Sequence, residues 1–286
     1  MQTVFTWVNG QRTDQIHVFD RGFSYGDGFF STLLVRNRQV LNWPAHQKRL
    51  LSHAQVLRFM VPSDATLLAT IRATFAQLPA DWQAGSLALK LIFSRGEGGR
   101  GYLPPLEPQP TWVVQWSLAP QTSSEPLHLH LCQTQASIHG QLAGLKHLNR
   151  LENVLARQEL ADKGWQEGLM QNAFGDVISA TQANLFALNG QTIFTPKLDQ
   201  SGIAGCVRQQ LANLLPNLGW HWRERKLQTA DLPEMEALFL SNSLRGIQVV
   251  SHLSLSPEQT IAFETQSVNS IHEAWENWQS QNGLDL

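Results

Sequence analysis

The stretch Ala119-Pro120-Gln121-Thr122-Ser123-Ser124-Glu125-Pro126 is polar, carries a proline near each end, and interrupts a dense succession of strand and helix patterns. Such punctuation suits a linker. It also falls where a chain of 286 residues, too long for one ordinary module, would divide. The expected architecture is α+β in two domains, residues 1–119 and 127–286, joined by 120–126.

Before the linker, Val4 to Val8 followed by Asn9-Gly10 reads as a hairpin, since Asn-Gly suits a tight primed turn. Phe29 to Val35 with Val40-Leu41 gives another. Helices are expected from Pro44, with Leu50, Leu51, Ala54 and Leu57 at helical spacing, and from about Ala65 to Ala76, capped by Ser63 or Asp64. Strands follow at Leu87 to Phe93 and Thr111 to Ser117. After the linker, Leu127 to Cys132 reads as a strand. Asn149 to Ala161 reads as a helix with Leu151, Val154, Leu155 and Leu160 on one side. Short strands, a helix from Cys206 and a C-terminal helix complete the pattern.

Hydrophobic residues make up 42% and charged residues 15%, so the chain can bury a core and is not disordered. A net charge of -2 argues against nucleic acid or an anionic membrane as partner. No apolar run reaches the roughly 18 residues of a membrane helix, and Met1-Gln2-Thr3-Val4-Phe5 does not open a secretory signal. Cys132 and Cys206 cannot form a disulfide framework, so a cytoplasmic setting is expected.

Two motifs suggest chemistry that their context denies. Gly96-Glu97-Gly98-Gly99-Arg100-Gly101 fits a dinucleotide pattern, but Tyr102-Leu103-Pro104-Pro105 follows where a helix must start. The stretch is a surface loop, or a mobile loop whose Arg95 and Arg100 clamp carboxylates. His128, His130 and Cys132 alternate on one strand face without a fourth metal ligand at a recognisable spacing, so no metal is expected. Of the six lysines, Lys146 stands in an apolar stretch just before a helix. It is either a snorkelling lysine or one whose amine is drawn out of water and made nucleophilic.

Lys146-His147-Leu148-Asn149-Arg150-Leu151-Glu152-Asn153 resembles the lysine region of the fold-type IV pyridoxal-phosphate enzymes, most closely their aminodeoxychorismate lyases. Further blocks occur in the family's order: Asp20 to Thr32, His46 to Leu50, Ser94 to Tyr102, Ala183 to Phe186, Gly202 to Arg208, and Leu240 to Gly246. The resemblance implies a smaller α+β domain, a larger domain with a barrel-like β core, pyridoxal 5'-phosphate between them, and a homodimer. It implies that Lys146 bonds the cofactor's aldehyde carbon and that Arg49 binds its phosphate. Gly205, Cys206, Val207, Asn242 and Ser243 would assist, and Thr32, Arg95 and Arg100 would lie toward the substrate.

Two departures bear on the activity. Where the family has a glutamate against the pyridine nitrogen, this chain has Ser179, and where it has a phosphate-side threonine, this chain has Val207. A hydroxyl cannot balance a protonated ring, so Ser179 weakens the electron sink that transamination needs. The expected reaction is release of pyruvate from 4-amino-4-deoxychorismate, leaving 4-aminobenzoate. A D-amino-acid or branched-chain aminotransferase and a non-catalytic relative are the alternatives.

Overall fold

The computed structural model describes residues 3–286; Met1 and Gln2, the first two residues of the start that does not open a secretory signal, lie outside the described residues. The chain divides into two compact units. The first comprises the residues up to Pro120, the short return Lys146–Asn149, and the end Gln279–Leu286; the second comprises Gln121–Leu145 and Arg150–Trp278. The split after Pro120 lies at the expected linker, but the expected second domain does not run unbroken. Two distant segments return to the first unit because they make backbone pairs with its strands.

In the first unit the elements are β1 (Phe5–Val8), β2 (Gln11–Arg12), α1 (Arg21–Tyr25), β3 (Gly28–Arg36), β4 (Gln39–Leu41), α2 (Trp43–Leu57), α3 (Asp64–Phe75), α4 (Ala80–Gln83), β5 (Leu87–Ser94) and β6 (Thr111–Leu118). In the second they are β7 (Leu127–Leu131), α5 (Leu151–Asp162), β8 (Glu167–Gln171), β9 (Val177–Ala180), β10 (Asn184–Asn189), β11 (Thr192–Pro196), α6 (Cys206–Leu214), β12 (His221–Arg225), β13 (Ala237–Asn242), β14 (Gly246–Ser256) and β15 (Gln259–Ala262). Helix α7 (Asn269–Gln281) then leads into β16 (Gly283–Asp285), which rejoins the first unit.

The first sheet has the order β16-β4-β3-β5-β6-β1-β2 and every pairing is antiparallel. Strand alternation divides it cleanly. Leu33, Val35, Leu87, Leu89, Leu91, Val114 and Trp116 are buried, and they join Leu50, Leu67, Ile71 and Phe75 of α2 and α3 in one core. The other face, bearing Phe30, Thr32, Lys90 and Ile92, is half-buried.

The second sheet follows β12-β11-β10-β13-β14-β7-β8-β9, with β15 added against β14. Its ends approach one another: Val177 of β9 donates its N–H to the carbonyl of Leu227 at 2.7 Å, just beyond β12, and Asp176 bridges Gln228. The sheet therefore curls into the expected barrel-like core, filled by Leu129, Leu169, Leu185, Leu238 and Leu253. Outside it, Val207 and Leu211 of α6 and Ile271 and Trp275 of α7 pack on Phe186 and Phe239.

Helix α5 differs from expectation. Ala156 and Leu160 are buried, whereas Leu151, Val154 and Leu155 are exposed. Leu160 thus parts from the other three, which have no cover among the described residues.

Candidate functional site

Lys146 lies in a short extended segment laid against the start of β3. Phe30 donates its N–H to the Lys146 carbonyl at 3.0 Å, Leu148 donates to the Gly28 carbonyl at 3.0 Å, and Phe29 bridges His147. Gly28 permits this closeness: a Cβ there would lie 2.2 Å from the Phe93 carbonyl oxygen and 2.8 Å from a Leu148 methyl. The Lys146 ammonium sits 4.4 Å from the centre of the Phe30 ring, an attractive cation–π placement.

Behind it, α2 turns three polar side chains inward. His46, Arg49 and His53 recur at spacings of three and four, so they share the helix face that also buries Leu50 and Ala54. The Arg49 guanidinium donates to Ser31 Oγ at 3.3 Å, and Ser31 Oγ lies 2.8 Å from His46 Nδ1. Burial, followed by the charges of Arg49 and Lys146, holds the His46 imidazole well below its usual pKa, so it is neutral.

A residue that the sequence reading passed over lies on the half-buried sheet face. Lys90 pairs in register with Thr32 on one side and Gln115 on the other, and Gln115 pairs with Thr6. These four form one polar row. The Lys90 ammonium is 5.1 Å from the same Phe30 ring that Lys146 caps, and burial lowers its pKa. No carboxylate pairs with it among the described residues. A half-buried ammonium without an acid suits an anionic ligand. The signal was a lysine at an interior position of an apolar strand.

Arg95 is held within the fold. It was expected to reach the substrate, but its guanidinium makes four hydrogen bonds within the fold: two to the Asp27 carboxylate at 2.7 and 3.1 Å, and one each to the carbonyls of Arg58 and Leu57 at 3.0 and 2.7 Å. It pins the end of β5 to the end of α2. Arg21 shares Asp27 at 2.9 Å and donates to the carbonyls of Gly101 and Tyr102 at 3.2 and 2.8 Å. The glycine-rich loop is thereby tied at its far side, no helix follows Gly101, and Arg100 remains exposed upon it.

In the second unit, α6 begins after Gly205 with no side-chain cap and no acid in its first turn. Helix N-termini of this kind favour anions. Gly205 is required there, since a Cβ would stand 2.1 Å from Asn184 Oδ1, which instead accepts the Gly205 N–H at 3.1 Å. Cys206 and Val207 are buried in the first turn. Asn242 Oδ1 accepts from the backbone of Leu244 and Arg245 at 3.1 and 2.8 Å, so that oxygen builds the turn that presents Ser243. The adjoining Ser241 hydroxyl is buried without a hydrogen-bond partner.

Ser179 is half-buried in β9, opposite Met170 of β8. The neighbouring acid does not replace the missing glutamate. Glu167 is buried and accepts from the Thr181 hydroxyl at 2.5 Å and from the backbone of Thr181 and Gly168 at 3.1 and 2.9 Å. On the His128–Cys132 strand face, His130 stacks on Trp165 at 3.9 Å, and burial with the charges of Glu159 and Glu167 pushes the Cys132 thiol up to about 12. Among the described residues no cluster could hold a metal ion.

Taken unit by unit, these donors fit the expected cofactor. The first offers an amine and a buried guanidinium, and the second an uncapped helix start and the unpartnered Ser241 hydroxyl. Comparison with known proteins agrees. The family described as "Amino-transferase class IV" matches residues 28–253. An aminodeoxychorismate lyase of Vibrio harveyi is 33% identical over 90% of this chain and 94% of its own. The crystal structure of a 4-amino-4-deoxychorismate lyase from Pseudomonas aeruginosa superposes with a TM-score of 0.83 at 32% identity, covering 97% of this chain and 98% of that one. A branched-chain amino acid aminotransferase from Escherichia coli shares the fold, with a TM-score of 0.80 at 21% identity over 94% of this chain and 91% of its own. From the family match across most of its length and from these likenesses, the chain belongs to the class IV aminotransferase family.

Proposed function

We propose that this protein is a pyridoxal-phosphate-dependent lyase that converts 4-amino-4-deoxychorismate to 4-aminobenzoate and pyruvate, in the service of folate synthesis. The observation that carries this reading is the likeness to two aminodeoxychorismate lyases at 33% and 32% identity across at least nine-tenths of the chain.

When bound, pyridoxal phosphate would supply an electron sink for the substrate carbon that bears the amine. The residues do the rest. Lys146 holds the cofactor and then takes the proton from C4 of the substrate at Nζ. Arg49, the start of α6 and Ser243 bind the phosphate. The C3–oxygen bond would break as the ring becomes aromatic, and the Thr32 hydroxyl would relay a proton to the departing enolpyruvate group, regaining one from the ammonium that Lys146 becomes on taking the C4 proton. Lys90 and Arg100 bind the two substrate carboxylates, Lys90 taking the part first expected of Arg95. Lys90→Ala and Arg100→Ala should each raise KM about tenfold or more, the worth of one charge-assisted hydrogen bond, while the visible spectrum of the bound cofactor stays unchanged. Loss of cofactor in either variant would contradict the assignment.

Ser179 faces the pyridine nitrogen in this reading. Without a carboxylate there the nitrogen stays largely unprotonated. Aromatisation still drives the lyase reaction, while transamination with D-alanine or branched-chain amino acids is slow. Ser179→Glu should raise side transamination without a matching rise in lyase rate. Efficient transamination by the wild-type protein would instead favour the aminotransferase reading.

The protein acts in the cytoplasm as a homodimer. Its two cysteines are unlinked, as a reducing compartment favours. Large apolar side chains stand exposed on each unit, Phe19, Phe23, Tyr102 and Leu103 on the first and Leu151 and Val154 on the second, and apolar exposure of this kind marks protein interfaces.

A further inference from the structure

The first unit holds a buried imidazole whose hydrogen bonds are arranged about Lys146 and which none of the roles above uses. His53 Nε2 accepts the backbone N–H of Lys146 at 2.9 Å. An acceptor at Nε2 places the ring proton on Nδ1, which donates to Ser52 Oγ at 3.3 Å, and the Ser52 hydroxyl donates to the Arg49 carbonyl at 3.0 Å. One run of hydrogen bonds therefore joins the helical turn bearing Arg49 to the backbone of Lys146. The ring is 6% exposed and meets Phe29 edge-on at 5.5 Å, and Phe29 is bridged to His147.

We propose that His53 is a positioning residue for Lys146: its neutral ring fixes the backbone N–H of Lys146 and so sets the point and direction from which the side chain reaches out. The Lys146 carbonyl is fixed independently by Phe30, so His53 supplies the second of two anchors, one on each of the peptide groups that flank the Lys146 Cα. The ring must remain neutral for this, because a protonated imidazole would oppose one N–H with another. Burial, then the charges of Arg49, His147 and Lys146, lower its pKa to about 3, so it stays an acceptor at any ordinary working pH. A histidine serving helix packing alone would need only its bulk. One serving Lys146 needs an acceptor at the Nε2 position.

The inference rests on Lys146 as the cofactor-bearing residue, and the test separates the two. Apoprotein of the wild type and of His53→Gln, His53→Asn and His53→Leu is mixed with pyridoxal phosphate. The rate at which the visible band grows and the pH midpoint of that band are measured, and amide exchange at Lys146 is followed in the apoproteins. Gln carries an oxygen close to the Nε2 position, whereas the shorter Asn does not. The Gln variant should stay within about twofold of wild type, while Asn and Leu should lose roughly tenfold in capture rate and in Lys146 amide protection and should shift the midpoint. Thermal unfolding identifies a variant that misfolds, and the Gln–Asn comparison decides the matter even if Leu does not fold. Equal behaviour of Gln and Asn, or unchanged capture and midpoint in all three, would overturn the His53 role. A wild-type protein with no visible band would overturn the Lys146 assignment and this inference with it.

Discussion

Lys146→Ala should abolish the visible absorption of the bound cofactor and lower lyase turnover by on the order of 10⁴-fold, because one side chain supplies both the bond to the cofactor and the base at C4. The fold should survive. Both backbone anchors of residue 146, to His53 and to Phe30, are main-chain groups that alanine retains. Alanine gives up the cation–π contact with Phe30, worth about 0.5–1 kcal/mol. Lys90 is the internal control, since its ammonium approaches the same ring. Borohydride reduction followed by peptide mapping should place the pyridoxyl group on Lys146. A label on Lys90, or a band that persists in Lys146→Ala, would overturn the assignment.

The contrast between these two lysines shows what the sequence revealed and what it withheld. Lys146 stood out because an amine in an apolar stretch before a helix is chemically conspicuous. Its anchor, His53, lies 93 residues away along the chain and carries no pattern that points to it. Lys90 was hidden for another reason: strand alternation says that two faces exist, but not that both are partly covered. The same limit explains α5, where periodicity revealed an apolar stripe in Leu151, Val154 and Leu155 without saying that the chain leaves it exposed. The curled sheet was legible only through the family resemblance, because local strand patterns do not say how a sheet closes, whereas a linker was expected from a proline-bracketed polar stretch. Arg95 was read with Arg100 from the glycine-rich loop and from the family resemblance, and its partner Asp27, 68 residues earlier, carries no pattern that points to it.

Asp27→Ala should cost about 3–5 kcal/mol of stability, because it strands two buried guanidiniums that share one carboxylate. The side chains of Arg21 and Arg95 are 3% and 9% exposed, so water cannot replace the lost partner well. Release of Arg21 would also free the backbone of Gly101 and Tyr102, loosening the loop that presents Arg100. The pH dependence has a definite sign. Burial raises the Asp27 pKa, but the hydrogen bonds and charges of Arg95 and Arg21 outweigh it and hold the carboxyl below its ordinary value. A depressed carboxylate stabilises fully above the unfolded value of about 4 and loses that contribution as pH falls through the folded value. Unfolding temperatures of wild type and Asp27→Asn should thus differ most at neutral pH and converge in acid. A gap that is small at neutral pH, or that widens in acid, would contradict the bracket.

The most direct test of the account is product formation by the cofactor-loaded protein given 4-amino-4-deoxychorismate. The account predicts 4-aminobenzoate and pyruvate released in equal amounts, with no added oxo acid required. Failure to release 4-aminobenzoate, with amino-group transfer from D-alanine or a branched-chain amino acid to an oxo acid instead, would contradict it.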